Sequence, residues 1–303
     1  MTSQVGGALT LPQPERLRGA DGDYSRRIST SVTPRAAPEE AVQHELDVAI
    51  RAAKAASEAI LAVYNQEDFE VRFKSGDKGP LTEADLASDR VLAEVLRGAF
   101  PDDGYLSEET VDDGSRLSST RVWIVDPLDG TREFTLRIPE FVVSIGLVVD
   151  GVPTVGVLLN PATGELFAGA IGIGMFYNGE PVTVTDHEDL RGARLLVSRS
   201  EHGKGWFDDL SGRANLTPMG SVAYKFGLVA AGKAEASFTP KPRNEWDLAG
   251  GAACILAAGG QATNGKGEPY RFNQADPLHI GVCGTNGGVQ SACLQLIERL
   301  RDR

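Results

Sequence analysis

The chain has 303 residues, 41% hydrophobic and 24% charged, and its 30 Lys and Arg against 42 Asp and Glu leave a formal charge of −12. This composition suits a globular enzyme and excludes a disordered or fibrous chain, while the acidic balance argues against a nucleic acid polymer as partner. The length suggests two domains or one large layered one, with a core big enough to need neither disulfides nor a structural metal.

Residues 1–38 mix Pro, Gly, Ser, Thr and Arg without periodicity and read as a disordered tail. Glu15, Asp21 and Asp23 in that stretch argue against a transit peptide, and no basic-then-apolar start marks a secretory signal. Order is expected to begin at Glu39-Glu40, with Leu46, Ile50, Ala53, Ala56, Ile60 and Val63 at helical spacing up to about Tyr64. Val71 to Lys74 predicts a short strand, followed by turn residues 75–80. Thr82 is well placed to cap a second helix that carries Leu86, Val91 and Leu96 and ends before Pro101. Tyr105 to Ser107 reads as a strand emptying into Glu108-Glu109, and Arg121 to Val125 as a buried strand stopping at Asp126-Pro127.

Phe141–Val149, Val152–Leu159 and Glu165–Ala170 predict three strands joined by tight turns, one of them Asp150-Gly151, hence an antiparallel meander. The run from Phe141 to Val149 is too short to cross a membrane. Past Asn178-Gly179 the rhythm becomes strand, helix, strand: Ala193–Ser198, Ser221–Ala231, Ala234–Phe238, Asp247–Ala258, Gln261–Thr263, Ile280–Cys283 and a closing helix from Gly288 to Leu300. The expected organisation is an α+β domain over 39–180 and a smaller α/β domain over 181–303. Cys254, Cys283 and Cys293 lack metal-ligand spacing and read as small buried hydrophobes in a reducing compartment, the cytoplasm.

Acidic residues recur at element ends: Thr82-Glu83-Ala84-Asp85, Ser107-Glu108-Glu109, Asp126-Pro127-Leu128-Asp129-Gly130-Thr131 and Trp246-Asp247. Singly, each has a plain structural account as a cap, a first-turn acid or a solvated loop charge. The third is harder to read that way. An apolar strand delivers two carboxylates three residues apart across a proline, and Gly130-Thr131 opens a short helix closed before Pro139. Two acids on a hard cation with free N–H groups facing a phosphate fit that pattern. His44, His187, His202 and His279 lack zinc-ligand spacing, and Gly172-Ile173-Gly174 is no nucleotide-binding fingerprint.

The third cluster, preceded by Trp123-Ile124-Val125, resembles the central signature of the lithium-sensitive, magnesium-dependent phosphomonoesterases of the inositol monophosphatase superfamily. The other three clusters match that family's motifs in order over residues 39–303. Arg132-Glu133-Phe134, Val197-Ser198-Arg199-Ser200, Gly220-Ser221 leading to Lys225-Phe226, and Gln274-Ala275-Asp276-Pro277 are most similar to bacterial CysQ-type 3′(2′),5′-bisphosphate nucleotidases. Ser107 before the two glutamates, where inositol monophosphatases carry Gly, leans the same way. One departure is a spacing one residue longer between Gly220-Ser221 and Lys225-Phe226.

The resemblance implies a layered αβαβα sugar-phosphatase-like fold, with an antiparallel N-terminal sheet and a smaller C-terminal α/β domain. It implies two or three Mg²⁺ ions held by Glu108, Asp126, the Leu128 carbonyl, Asp129 and Asp247, with Asp85 and Thr131 activating the attacking water. Gly130 and Thr131 would cradle the scissile phosphate, and Arg132, Ser198, Ser221, Lys225 and Arg243 would complete a pocket built around Ser198, 221–225 and 241–243. Glu109 is expected to be a solvated or outer neighbour of the ligands. The implied substrate is adenosine 3′,5′-bisphosphate, with 3′-phosphoadenylyl sulfate beside it and a place in sulfate assimilation. Inositol-1-phosphate, histidinol phosphate and fructose-1,6-bisphosphate are the alternatives within the fold, and a catalytically silent metal- or nucleotide-binding homologue is the alternative outside enzymology. A homodimer stays open.

Overall fold

The computed structural model describes residues 39–74 and 79–301, so the expected tail 1–38 and residues 75–78 of the expected turn lie outside the described residues. In chain order, α1 (Glu39–Tyr64) leads to a hairpin of β1 (Val71–Phe73) and β2 (Pro80–Thr82), then α2 (Glu83–Ala99), β3 (Gly104–Ser107), β4 (Arg121–Asp129) and the short α3 (Thr131–Thr135). Five strands follow: β5 (Val142–Val149), β6 (Val152–Leu159), β7 (Leu166–Ala170), β8 (Gly174–Tyr177) and β9 (Glu180–Val182). Beyond them come β10 (Arg194–Ser198), α4 (Arg199–His202), β11 (Asn215–Met219), α5 (Val222–Ala230), β12 (Ala236–Thr239) and β13 (Arg243–Asn244). The chain closes with α6 (Glu245–Ala257), β14 (Gln261–Asn264), β15 (Leu278–His279), β16 (Val282–Thr285) and α7 (Gln290–Leu300).

Strands β3 to β9 form one sheet in sequence order. The predicted meander is present from β4 onward, but the sheet is not wholly antiparallel: β3 runs parallel to β4, because the chain between them crosses back instead of turning tightly. Strands β8 and β9, each four residues or fewer, were not anticipated, and neither was β11. The second sheet has the order β11-β10-β12-β16-β14, with β10 parallel to both neighbours and β16 antiparallel to both of its own, so it is mixed.

Five layers result. Helices α1 and α2 pack together on one face of the first sheet, α5 and α6 fill the space between the two sheets, and α7 covers the far side of the second. Side-chain alternation on β4 to β6 feeds two cores at once, as a sheet covered on both faces requires. Trp123, Val125, Val143, Ile145, Leu147, Val155 and Val157 turn toward α1 and α2. Val122, Ile124, Val142, Val148 and Leu158 turn toward α5 and α6.

That second face also carries Gly146 and Gly156, paired with one another across β5 and β6. A Cβ on Gly156 would lie 2.2 Å from the Gly250 carbonyl oxygen of α6, and one on Gly250 would lie 2.8 Å from the Ile145 oxygen. Helix α6 therefore rests backbone against backbone on the sheet, which its Ala- and Gly-rich sequence Ala249-Gly250-Gly251-Ala252-Ala253 permits. Gly156→Ala is expected to destabilise the chain by about 1–3 kcal/mol through overpacking, read as a lowered midpoint of denaturant unfolding. An unchanged midpoint would mean that α6 stands farther from the sheet.

Candidate active site

Strand β4 was expected to stop at Asp126-Pro127, yet it continues to Asp129 through a bulge. Asp126 pairs with Ser144 and Asp129 with Val142, so three steps on β4 oppose two on β5. The bulge absorbs Pro127, which needs no ladder donor there. It also leaves the Leu128 carbonyl pointing to Thr131, whose Oγ1 lies 3.0 Å away. The Asp126 carboxylate accepts from the Leu128 N–H at 2.9 Å and is buried.

Three other aspartates are fixed in the same manner. Asp85 closes a capping box at the start of α2, with Thr82 N–H and Oγ1 donating to its Oδ2 at 2.8 and 2.6 Å. Its Oδ1 accepts from Thr131 Oγ1 at 2.8 Å, so the predicted Asp85–Thr131 pair is formed. Asp247 closes a capping box at the start of α6 through the Asn244 N–H at 3.2 Å. Asp129 Oδ2 accepts from Ser221 Oγ and from the Ala223 N–H, both at 2.7 Å, and thereby caps α5.

Glu108, Asp126 and Asp247 each offer a carboxylate oxygen, and the three atoms lie within 4.8 Å of one another. An all-oxygen set of anionic donors fits a hard divalent cation and no soft one. Asp129 stands beside the three, close enough to act electrostatically on both Asp126 and Asp247. Burial, followed by the repulsion of Glu108, Asp129 and Asp247, raises Asp126 well above the ordinary carboxylate range. Burial and then Asp129 and Glu108 push Asp247 up to about 8. Burial also raises Asp85, against the hydrogen bonds from Thr82 and Thr131.

Glu108, Asp126, Asp129 and Asp247 open onto a cavity of about 280 Å³ that Gly130, Thr131, Arg132, Ser198, Ser221, Lys225 and Arg243 also line. Among the described residues, neither Arg132 nor Arg243 has an ion-pair partner, and the Arg243 guanidinium bonds only the Pro242 carbonyl, at 2.8 Å. Lys225 is placed differently from the expectation of a substrate ligand. Its buried ammonium donates to the carbonyls of Gly220 and Ser221 at 3.0 and 2.7 Å, and burial lowers it to about 8. Lys241 is not brought to the cavity, since its ammonium sits 5.0 Å over the Trp206 ring.

Sequence reasoning missed Lys74, whose ammonium lies 2.6 Å from Glu108 Oε1 and 2.5 Å from Glu109 Oε1. Of the two places expected for Glu109, solvent and the outer surroundings of the ligands, its 7% exposed side chain takes the second. A further unforeseen network joins Arg199 to Glu140 by an ion pair, while Glu140 Oε2 accepts from the Gly220 N–H at 2.8 Å. No local sequence signal marks contacts that span so many residues. The Ser198 hydroxyl, meanwhile, caps α4 and lies 3.0 Å from that of Ser200.

The family model described as "Inositol monophosphatase family" matches residues 41–301. Inositol monophosphatase 3 of Solanum lycopersicum is 35% identical over 269 residues, covering 85% of this chain and 97% of the relative. The 3′(2′),5′-bisphosphate nucleotidase CysQ of Escherichia coli is 35% identical over 234 residues, 75% of this chain and 93% of its own. The solved structure of a Thermotoga maritima IMPase superposes with a TM-score of 0.76 at 25% identity, over 86% of this chain and 98% of that one.

A carboxyl raised by folding binds its proton more tightly in the folded than in the unfolded chain, so stability falls as pH rises toward the folded value. With Asp247 at about 8, the metal-free protein should lose melting temperature between about pH 4 and pH 8 and level off above that. Asp247→Asn should flatten that fall, and so should millimolar Mg²⁺. A melting temperature indifferent to pH in the metal-free parent would remove the electrostatic strain from the site.

Proposed function

The chain belongs to the inositol monophosphatase family of phosphatases, and from that premise we propose that it is a Mg²⁺-dependent phosphomonoesterase removing the 3′-phosphate of adenosine 3′,5′-bisphosphate. In this reading Glu108, Asp126, Asp129, Asp247 and the Leu128 carbonyl hold the cations. A bound divalent cation supplies Lewis acidity and lowers the pKa of its water toward neutrality. Asp85 accepts the proton of the attacking water through Thr131, to which it is already hydrogen-bonded. The N–H groups that open α3 have no acceptor within the helix, and those of Gly130 and Thr131 are therefore free for phosphate oxygens.

The observation that carries the nucleotide reading is the pair of arginines without carboxylate partners, Arg132 and Arg243, in the lining of the acidic cavity. A substrate with one phosphate needs no second cationic wall. A bisphosphate does, and guanidinium groups suit it by their paired donors. Ser198 and Ser221 offer hydroxyls beside that wall, and Met219 and Val222 offer apolar surface for a base or sugar. Lys225 serves the substrate indirectly, by holding the turn that carries Ser221. The three free, buried cysteines support a cytoplasmic setting, where sulfate assimilation would place such an enzyme. Inositol-1-phosphate is the second reading, favoured by the longer match to the plant relative.

Phosphate release with Mg²⁺ should be at least about tenfold faster by kcat/KM for adenosine 3′,5′-bisphosphate than for inositol-1-phosphate, histidinol phosphate or fructose-1,6-bisphosphate, a difference of about 1.4 kcal/mol. A preference for inositol-1-phosphate would discard the nucleotide and keep the metal chemistry. Failure to turn over any of the four would favour a silent binding homologue. Asp126→Asn should abolish turnover with an unchanged circular dichroism spectrum, and an active variant would remove Asp126 from the metal set.

A further inference from the structure

We propose that Lys74 is a built-in competitor for the cation site: its ammonium occupies the Glu108 edge of the acidic cluster until a divalent cation takes Glu108, and then withdraws onto Glu109. The inference rests on the reading that Glu108, Asp126 and Asp247 hold a metal, and it assigns a purpose to two residues that this reading leaves unused.

The geometry is specific. Lys74 bridges two carboxylates at 2.6 and 2.5 Å with its side chain 15% exposed, and one of the two is a member of the three-carboxylate group. Glu108 cannot hold an ammonium at 2.6 Å and a divalent cation equally well, because two cations on one carboxylate repel at close range. Glu109 lies outside the three-carboxylate group, so it can keep the ammonium when Glu108 is taken. Burial works against the lysine's charge, yet Glu108 and Glu109 together hold it well above the ordinary lysine range. In the metal-free protein it is therefore a cation held between the two carboxylates.

Lys74 also has a mechanical connection to the site. Its N–H donates to the Gly79 carbonyl at 3.0 Å, closing the hairpin of β1 and β2. The second strand ends in Thr82, which pairs with Val71 and binds Asp85. The ammonium is thus anchored on a hairpin whose other end holds the residue that pairs with Thr131. In the absence of metal it offsets part of the repulsion among the buried acids. Against metal it raises the cation concentration at which the site fills.

The test is calorimetric titration of the full chain with Mg²⁺, accompanied by hydrogen exchange of the hairpin residues 71–74 and 79–82. Lys74→Met should bind Mg²⁺ about fivefold or more tightly than the parent and melt at a lower temperature without metal. Lys74→Arg, which keeps the charge, should return the affinity to within about twofold of the parent. In the parent, Mg²⁺ should speed exchange in the hairpin, and in Lys74→Met it should not. Unchanged or weaker Mg²⁺ binding by Lys74→Met, with the parent binding normally, overturns the proposal while leaving the metal site intact. No Mg²⁺ binding by the folded parent overturns the metal reading itself, and this inference with it.

Discussion

The contact on which the site depends is the backbone-to-backbone seat of α6 on strands β5 and β6. Gly146, Gly156 and Gly250 leave no Cβ between helix and sheet, and the would-be contacts of 2.2 to 2.8 Å show that no other residue fits without displacement. Because α6 begins only a few residues before that contact, its capping residue Asp247 is brought down to the level of Asp126 on β4. A helix lifted to an ordinary helix–sheet distance would carry Asp247 away with it. The glycines act here through the absence of a side chain rather than through flexibility, since Gly146, Gly156 and Gly250 lie within strands and helix.

The same closeness creates the electrostatic problem that the rest of the site answers. Carboxylates held together and away from water resist ionising together. Each aspartate is kept in place by a bond from a backbone N–H, local for Asp85 to Thr82, Asp126 to Leu128 and Asp247 to Asn244, and long-range for Asp129 to Ala223. In each case the bond uses one oxygen. The second oxygen of Asp85 is given to Thr131, and one oxygen of Asp126 and of Asp247 joins the group with Glu108. Capping and function are consequently the same arrangement seen from two sides. Reading such acids as helix caps or turn acids is correct and does not compete with reading them as ligands.

This explains what was legible in the chain. Thr82-x-x-Asp85 and the start of α6 could be read because capping is a local matter with a fixed spacing. Asp126 and Asp129 could be read because the strand before them is strongly apolar. The end of β4 was misjudged because Pro127 ordinarily terminates a strand, and nothing local announces the bulge that accommodates it. The five-layer order was implied by the family resemblance, whereas β8, β9 and β11 are too short to show a period. Lys74 and Glu140 had no signal, and Arg199 was marked only as part of the Val197–Ser200 motif, without its partner. Their partners lie between 34 and 80 residues away in sequence, and only the fold brings them together.

The turn that leads from Gly220 into α5 has a physical consequence at the cavity wall. Ser221 adopts a left-handed φ of +49°, unusual for a residue with a side chain, and is held there by its bond to Asp129 and by its capping of α5. Lys225 lies one turn into α5, where its side chain folds back beneath the strained turn and meets the carbonyls of Gly220 and Ser221. Across that turn, Glu140 holds the Gly220 N–H, so the segment is clamped from both sides. A Cβ at Gly220 would meet the Glu133 side chain at 2.2 Å, so that side chain would have to shift. The strain at Ser221 is therefore sustained by Lys225, Glu140 and Asp129 together. Because the lysine is committed to this task, the unpaired positive charge at the cavity wall is left to Arg132 and Arg243.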